Sequence, residues 1–199
     1  MGATADGDPD PTKEVLLRYL QRGRESLLTK LDGVDEYDAR RPVVPTGTNL
    51  LGIVKHVASV ESGYLGDVFG RPSGEHLPWL DDDAEANADM WATEDESRED
   101  VVALYRRVWA HSDATIAELE LDAAGRVPWW GEHGDVTLRQ VLIHMIDETS
   151  RHAGHADVVR ELIDGVAGLR KPGDNLPEQD ANWWIAYRER LQRTAERFR

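Results

Sequence analysis

The feature that most constrains the fold is a long run of apolar residues at helical spacing between residues 138 and 164. Apolar positions such as Val141 recur there on one face of a helix with 3.6 residues per turn. Thr137 and Gln140 have the spacing of a capping box in front of this run, and Gly165 follows it as a helix-ending residue. The pattern predicts a helix over residues 138–164.

Four further segments show helical periodicity, and no part of the chain shows sustained alternation of β-branched residues with period two. These segments cover residues 11–31, 48–69, 97–121 and 180–198. Asp10 and Ser97 are the expected N-caps of the first and third. Long links at 70–96 and 122–136 permit a crossover between parallel helices. We predict an all-α fold: a four-helix bundle with a crossover plus a short C-terminal helix, forming one domain over 11–199 after a flexible tail of residues 1–10.

The composition argues against several classes of function. The 199 residues include no cysteine, which excludes disulfides, thiolate metal sites and a catalytic cysteine. The formal net charge of −15 disfavours binding to nucleic acid or anionic lipid, because both rely on Lys and Arg. No apolar run is long enough to span a membrane, and the N-terminus lacks the pattern of a signal peptide. We expect a cytoplasmic protein that acts on a small molecule.

Three side chains that commonly bind metals lie on one stripe of the long helix. His144, Glu148 and His152 follow each other at intervals of four residues, so each step drifts only about 40° around the helix axis. His155 lies on the same stripe, and Arg151 lies at its edge. A carboxylate buried beside imidazoles is unfavourable unless a cation compensates for its charge, and a divalent ion would do so. The stripe predicts a metal site inside the bundle.

The remaining ligand is expected from another helix, because ligands two turns apart on one helix are separated by about 11 Å. His56, in the second helical segment, is the candidate, since apolar residues flank it at helical spacing. Either His152 or His144 could accompany Glu148. The pattern also allows a metal-free polar network in which Glu148 pairs with Arg151 or with a protonated histidine.

Two adjacent tryptophans, Trp129 and Trp130, precede the long helix. One interpretation is that they fill the end of the bundle. The other is that they form the wall of a small-molecule pocket near the metal.

Two segments carry a resemblance to a known family: LLGIVKHVASVE around His56, and IDETSRHAGHADVVRELIDG around Glu148 and His152. They resemble the DinB-like (DinB/YfiT-like) metalloenzyme superfamily, and in particular its actinobacterial branch of mycothiol-dependent enzymes. The resemblance extends from the first helix to Trp183 and Trp184. It implies an up-down-down-up bundle with three protein ligands to one metal. In a maleylpyruvate isomerase of this branch the ligands are two His and one Glu, which implies His56, Glu148 and His152 here.

The resemblance implies a metal-dependent thiol transferase, in which a low-molecular-weight thiol such as mycothiol binds the metal as a thiolate and attacks a small electrophile. Zinc is the expected ion, with nickel or iron as alternatives. Arg151 and His155 are expected to orient an anionic group or to move a proton. A metal-dependent hydrolase and a non-enzymatic, stress-related metal-binding bundle fit the same residues. A homodimer is also expected.

Overall fold

Six helices make up most of the described chain. The computed structural model describes residues 10–199. The predicted flexible tail therefore lies outside the described residues except for Asp10, and the single-domain assignment of 11–199 stays a prediction. The helices are α1 (Pro11–Thr29), α2 (Glu36–Arg40), α3 (Leu50–Leu65), α4 (Arg98–Glu118), α5 (Leu138–Asp164) and α6 (Ala181–Ala195).

Side-chain caps define where the four long helices begin. Asp10, Ser97 and Thr137 cap α1, α4 and α5 as predicted, each accepting a hydrogen bond from a backbone N–H of the first turn. Asn49 caps α3 in the same way, so that helix begins slightly later than predicted. α5 ends at Gly165, whose φ of 77° is the left-handed conformation that favours glycine.

The predicted all-α bundle is confirmed, with two small additions: the five-residue helix α2, which was not predicted, and a two-stranded hairpin. Strands β1 (Ala124–Arg126) and β2 (Asp135–Thr137) form an antiparallel hairpin inside the predicted link before α5. Strands of three residues are too short to show alternation in the sequence. α6 also forms, but none of its residues is buried. Within residues 10–199, no helix combines the length and the apolarity needed to cross a membrane.

The long helices pack around α5 and α3. α5 packs against both α1 and α3, and α3 packs against α4. The buried side chains form two clusters, and α5 contributes to both: Val141, Leu142 and Met145 to one, and Ala153, Ala156 and Val159 to the other. The turns of α5 that carry Glu148 and His152 lie between these two sets, so the bundle core fixes them from both ends.

A buried ion pair connects α1 to α3. Arg24 and Glu61 are both fully buried, and the Arg24 guanidinium donates to both carboxylate oxygens of Glu61 at 2.5 and 3.1 Å. Arg24 also donates to Asp113 of α4 at 2.7 Å. Because each charge has a partner, the three helices are connected by a polar contact as well as by apolar packing.

Candidate metal centre

His56, Glu148 and His152 come together between α3 and α5. Each offers one donor atom, and the three atoms all lie within 4.8 Å of one another. The Oε1 atom of Glu148 is 3.0 Å from Nε2 of His152 and 3.6 Å from Nε2 of His56. The two imidazole rings have centroids 4.6 Å apart. Residues that are nearly a hundred positions apart in sequence thus present their donors to a common point.

The geometry of helix α5 alone explains why Glu148 and His152 lie next to each other. Glu148 and His152 are one turn apart on α5, so their side chains project to the same side. His56 reaches them from α3, which packs directly against α5. All three side chains are mostly buried, with exposures of 18% for His56, 23% for Glu148 and 11% for His152. The donors are therefore held by the core while some access from solvent remains.

A fourth residue, Asp89, orients His56. The Oδ2 atom of Asp89 lies 2.6 Å from Nδ1 of His56, the ring nitrogen that faces away from Glu148. A proton on Nδ1 donated to this carboxylate leaves Nε2 free to act as a metal ligand. Carboxylate partners of this kind are common behind metal-binding histidines. Asp89 could not be predicted as a site residue from the sequence, because it is one of many acidic residues in the link and nothing in its spacing relates it to His56.

The link reaches His56 because Gly52 allows a close backbone approach. Asp89 lies in a short 3-10 helix, Ala88–Met90, which packs on the first turns of α3. A Cβ atom at Gly52 would lie 1.8 Å from the carbonyl oxygen of Met90. That oxygen also accepts a hydrogen bond from the side chain of Asn49 at 3.3 Å. Gly52 and Asn49 therefore fix the backbone that carries Asp89.

The electrostatics of the cluster favour a cation. Burial lowers the pKa of His56, but the bond to Asp89 and the nearby Glu148 outweigh this effect, and the pKa is raised overall. Burial and the neighbouring His56 lower the pKa of His152. The hydrogen bond from His56 lowers the pKa of Asp89. The site thus favours positive charge between its two carboxylates.

These residues fit a divalent metal ion. Two imidazoles and one carboxylate are donors that zinc accepts, and bond lengths of about 2.0–2.1 Å would place tetrahedral donors roughly 3.3 Å apart. The observed separations of 3.0 and 3.6 Å lie on either side of that value. The charges of Glu148 and Asp89 together would match a divalent cation. Both donor atoms that neighbour Glu148 thus lie near the spacing expected of ligands to one ion.

Two cavities adjoin the candidate metal centre, and they differ in character. One, which we call the aromatic cavity, has a volume of about 520 Å³ and includes Glu148 in its wall. Its other principal lining residues are Val60, Tyr64, Leu80, Trp129 and His144. The other, the polar cavity, has a volume of about 420 Å³ and includes His152 in its wall. Its other principal lining residues are Thr46, Thr48, Asn87, Trp91 and His155.

The other histidines of the α5 stripe lie beside the cluster. His155 lines the polar cavity, and its ring centroid is 5.4 Å from that of His152. His144, the alternative partner of Glu148, instead packs its ring against Tyr64 at 4.5 Å and Trp130 at 5.0 Å. The donor cluster thus contains His152, and His144 belongs to the aromatic cavity.

Arg151 lies outside both cavities, whereas the two tryptophans lie at or near the aromatic cavity and the core. Arg151 is exposed and lines neither cavity, and within residues 10–199 it forms no ion pair with Glu148. Its predicted catalytic role stays a prediction. Trp130 is half-buried against the core, as a residue filling the bundle end would be. Trp129 is 58% exposed and lines the aromatic cavity. Trp130 therefore fits the interpretation as a residue that fills the bundle end, and Trp129 fits the interpretation as the wall of a pocket.

Comparisons with known proteins bear on both the fold and the site. The family described as mycothiol-S-transferase (MST) matches residues 15–165, a range that includes all three candidate ligands. A conserved protein from Enterococcus faecalis, known from a crystal structure, has a similar fold with a TM-score of 0.60. The two chains share 15% sequence identity over 76% of this chain and 96% of that one, a level at which the likeness concerns the fold alone. No curated protein matches the chain.

Proposed function

The chain belongs to the mycothiol-S-transferase family, a DinB-like family, and from this premise we propose that it transfers a mycothiol-type thiol to a small electrophile in a metal-dependent reaction. The observation that carries the proposal is the convergence of His56, Glu148 and His152 within 4.8 Å. The sequence contains no cysteine, so the reacting sulfur must be supplied by a small molecule.

His56, Glu148 and His152 would hold the ion, with zinc as the first candidate and nickel or iron as alternatives. When bound, a divalent ion supplies Lewis acidity that lowers the pKa of a small thiol and makes its thiolate available at neutral pH. Three protein donors suit this role, because structural zinc sites commonly use four.

The chain's own residues would position the ion and the proton. Asp89 holds the His56 ring with Nε2 directed toward Glu148. His155 lines the polar cavity and is the candidate acceptor for the thiol proton. Arg151 is proposed to orient an anionic group. In the net reaction the thiol sulfur bonds to the electrophilic carbon, the leaving group departs with its bonding electrons, and the thiol proton passes to a base.

The proposal is tested with Glu148→Ala and His152→Ala beside an untreated wild-type protein purified without an affinity tag. Metal content is measured by mass spectrometry, and thiol transfer is followed with mycothiol and an alkyl or aryl halide. Both variants should lose the metal and the transfer activity. Glu161→Ala, which removes an exposed carboxylate from the same helix, is the matched control and should keep both. Native transfer rates in the two ligand variants would refute the proposal, and ester hydrolysis by wild type without any thiol would favour the hydrolase alternative.

A further inference from the structure

The two cavities beside the candidate metal centre differ in the groups they offer to a ligand. We propose that the aromatic cavity binds the electrophile, as an uncharged and planar apolar molecule, while the polar cavity binds the hydrophilic part of the thiol. This inference rests on the proposed function, since it assigns the two substrates of that reaction to separate cavities. Glu148 lines one cavity and His152 the other, so the reacting atoms would meet at the donor cluster.

The aromatic cavity presents mainly ring faces and apolar side chains to a ligand. The indole N–H of Trp129 donates to the Tyr64 hydroxyl at 3.0 Å, and the two rings meet edge to face with centroids 5.2 Å apart. Trp129 is 58% exposed and Leu80 is 54% exposed, which are large fractions for apolar side chains. An apolar ligand would cover this surface and remove it from water, and a planar one would gain ring-to-ring contacts as well.

The charged groups around the aromatic cavity disfavour an anionic ligand, because the carboxylate of Asp67 remains even when a metal ion balances the charge of Glu148. Asp67 and Glu148 are its ionisable carboxylates, and neither Lys nor Arg lines it. The hydroxyl of Ser59 is already bonded, as donor to the Lys55 carbonyl and as acceptor from the Trp79 indole N–H, both at 2.8 Å. The cavity therefore lacks the Lys and Arg side chains that most strongly bind a carboxylate or a phosphate. An uncharged electrophile such as an aryl halide fits these walls.

The polar cavity combines hydrogen-bonding side chains with the apolar surfaces of Trp91 and Met90. Thr46 and Thr48 place their hydroxyls 3.3 Å apart, and Asn87 lies in the same wall. Trp91, 43% exposed, provides the aromatic surface. Hydroxyl and amide groups next to an exposed ring suit a molecule rich in hydroxyls, which can exchange hydrogen bonds with water for hydrogen bonds with the protein. A hydrophilic, hydroxyl-bearing thiol is the substrate class that this cavity favours.

Gly63 provides a way to fill the aromatic cavity without touching the metal ligands. It lines that cavity from α3, and a Cβ atom there would meet only Cη2 of Trp129, at the ordinary contact distance of 3.6 Å. Gly63→Ala should therefore fold normally, and Gly63→Leu should extend apolar atoms into the space proposed for the electrophile. Gly154→Leu is the matched control, because a Cβ atom at Gly154 has no heavy atom within 4 Å.

The experiment compares two electrophiles on the metal-loaded protein with mycothiol as the thiol. With 1-chloro-2,4-dinitrobenzene, the sulfur–carbon bond forms, the carbon–chlorine bond breaks, and chloride and a proton are released. Gly63→Leu should lower kcat/KM for this planar substrate by about tenfold or more, and should leave kcat/KM for the small electrophile iodoacetamide within about twofold of wild type. Gly154→Leu should match wild type with both, and the metal content of all three proteins should be equal.

Thr46→Val tests the proposal that the polar cavity binds the hydrophilic part of the thiol. It removes one hydroxyl from the polar cavity at nearly constant shape, and it should raise the KM for mycothiol while leaving the KM for 1-chloro-2,4-dinitrobenzene unchanged. The opposite pattern would overturn the assignment of the two cavities.

A binding measurement separates this inference from the proposed function. 2,4-Dinitrotoluene has the same ring but no leaving group, and its binding is followed through quenching of tryptophan fluorescence or the Trp129 indole signal in NMR. Binding to wild type and loss of binding in Gly63→Leu support the aromatic cavity even if no thiol transfer is found, in which case only the proposed function fails. Equal binding to both proteins, or equal losses of activity with both electrophiles, would overturn the inference.

Discussion

Replacing Asp89 tests whether the link between α3 and α4 takes part in metal binding. Asp89 accepts the Nδ1–H of His56 at 2.6 Å and lies outside the three proposed ligands. Asp89→Asn keeps an oxygen that can accept this hydrogen bond but removes the charge. Asp89→Ala removes both. We therefore expect a graded loss of metal affinity, larger for alanine than for asparagine, with the fold unchanged.

The expected loss of metal affinity follows from the way in which the Asp89 carboxylate holds the His56 ring. Without it, the ring is free to rotate and to carry its proton on Nε2, the nitrogen needed by the metal, and part of the negative charge that balances the cation is lost. Losing such a partner typically lowers metal affinity 10–100-fold, which corresponds to about 1.4–2.7 kcal/mol. Competition with a chromogenic zinc chelator at pH 8 measures this change, and nitrogen chemical shifts of His56 report its tautomer directly.

A matched control separates orientation from bulk charge. Asp82 is exposed in the same acidic link, so Asp82→Asn removes an equal charge without removing a contact to a histidine. Its zinc affinity should stay within about twofold of wild type, because exposed charges are strongly screened. If Asp89→Ala binds zinc as tightly as Asp82→Asn does, the proposed role of Asp89 is wrong.

Three further predictions concern the scaffold. Gly52→Ala should destabilise the protein by about 1–3 kcal/mol and weaken zinc binding, because the new methyl group would displace the Met90 backbone; chemical denaturation and zinc titration measure the two effects. Glu61→Ala should lower the free energy of unfolding by about 3–5 kcal/mol in urea denaturation, because it leaves the buried Arg24 without its main partner. Burial raises the pKa of Glu96, but the bond from a lysine ammonium outweighs this effect and the pKa is lowered below its ordinary value of 4.5. The stabilisation by Glu96 is therefore present above that pH and lost below it, so the stability difference between wild type and Glu96→Gln should shrink as unfolding is measured at progressively more acidic pH.

The long helices could be predicted because their signals are local, whereas the five-residue helix α2 was not predicted. The caps at Asp10, Ser97 and Thr137 and the stop at Gly165 each depend on residues within one turn, and all four are observed. The hairpin before α5 was not predictable in the same way. Its strands are three residues long and form because Val136 packs into the core beneath the helices, which is a tertiary effect.

The arrangement of the candidate site was predictable only in part, because it too depends on tertiary contacts. Glu148 and His152 share a helix, so their spacing relates them directly, and His56 could be inferred as a buried histidine on a neighbouring helix. Asp89 has no such relation to its partner. It reaches His56 only because the link folds back over α3, and neither the length nor the acidity of the link indicates which of its carboxylates does so.

The helices supply the proposed metal ligands and the link between α3 and α4 supplies cavity walls, and this arrangement has a functional consequence. The proposed ligands come from α3 and α5, whereas the link supplies Leu80 to the aromatic cavity and Asn87 and Trp91 to the polar one. α3 fastens this link at several points, and Lys55, for example, donates to the Trp91 carbonyl at 3.0 Å. Substitutions in the link can therefore change the shape of either cavity while the donors stay in place, provided that the contacts to α3 are kept. Metal affinity and substrate preference should accordingly respond to different sets of mutations, apart from Glu148 and His152, which are proposed ligands and also line the two cavities.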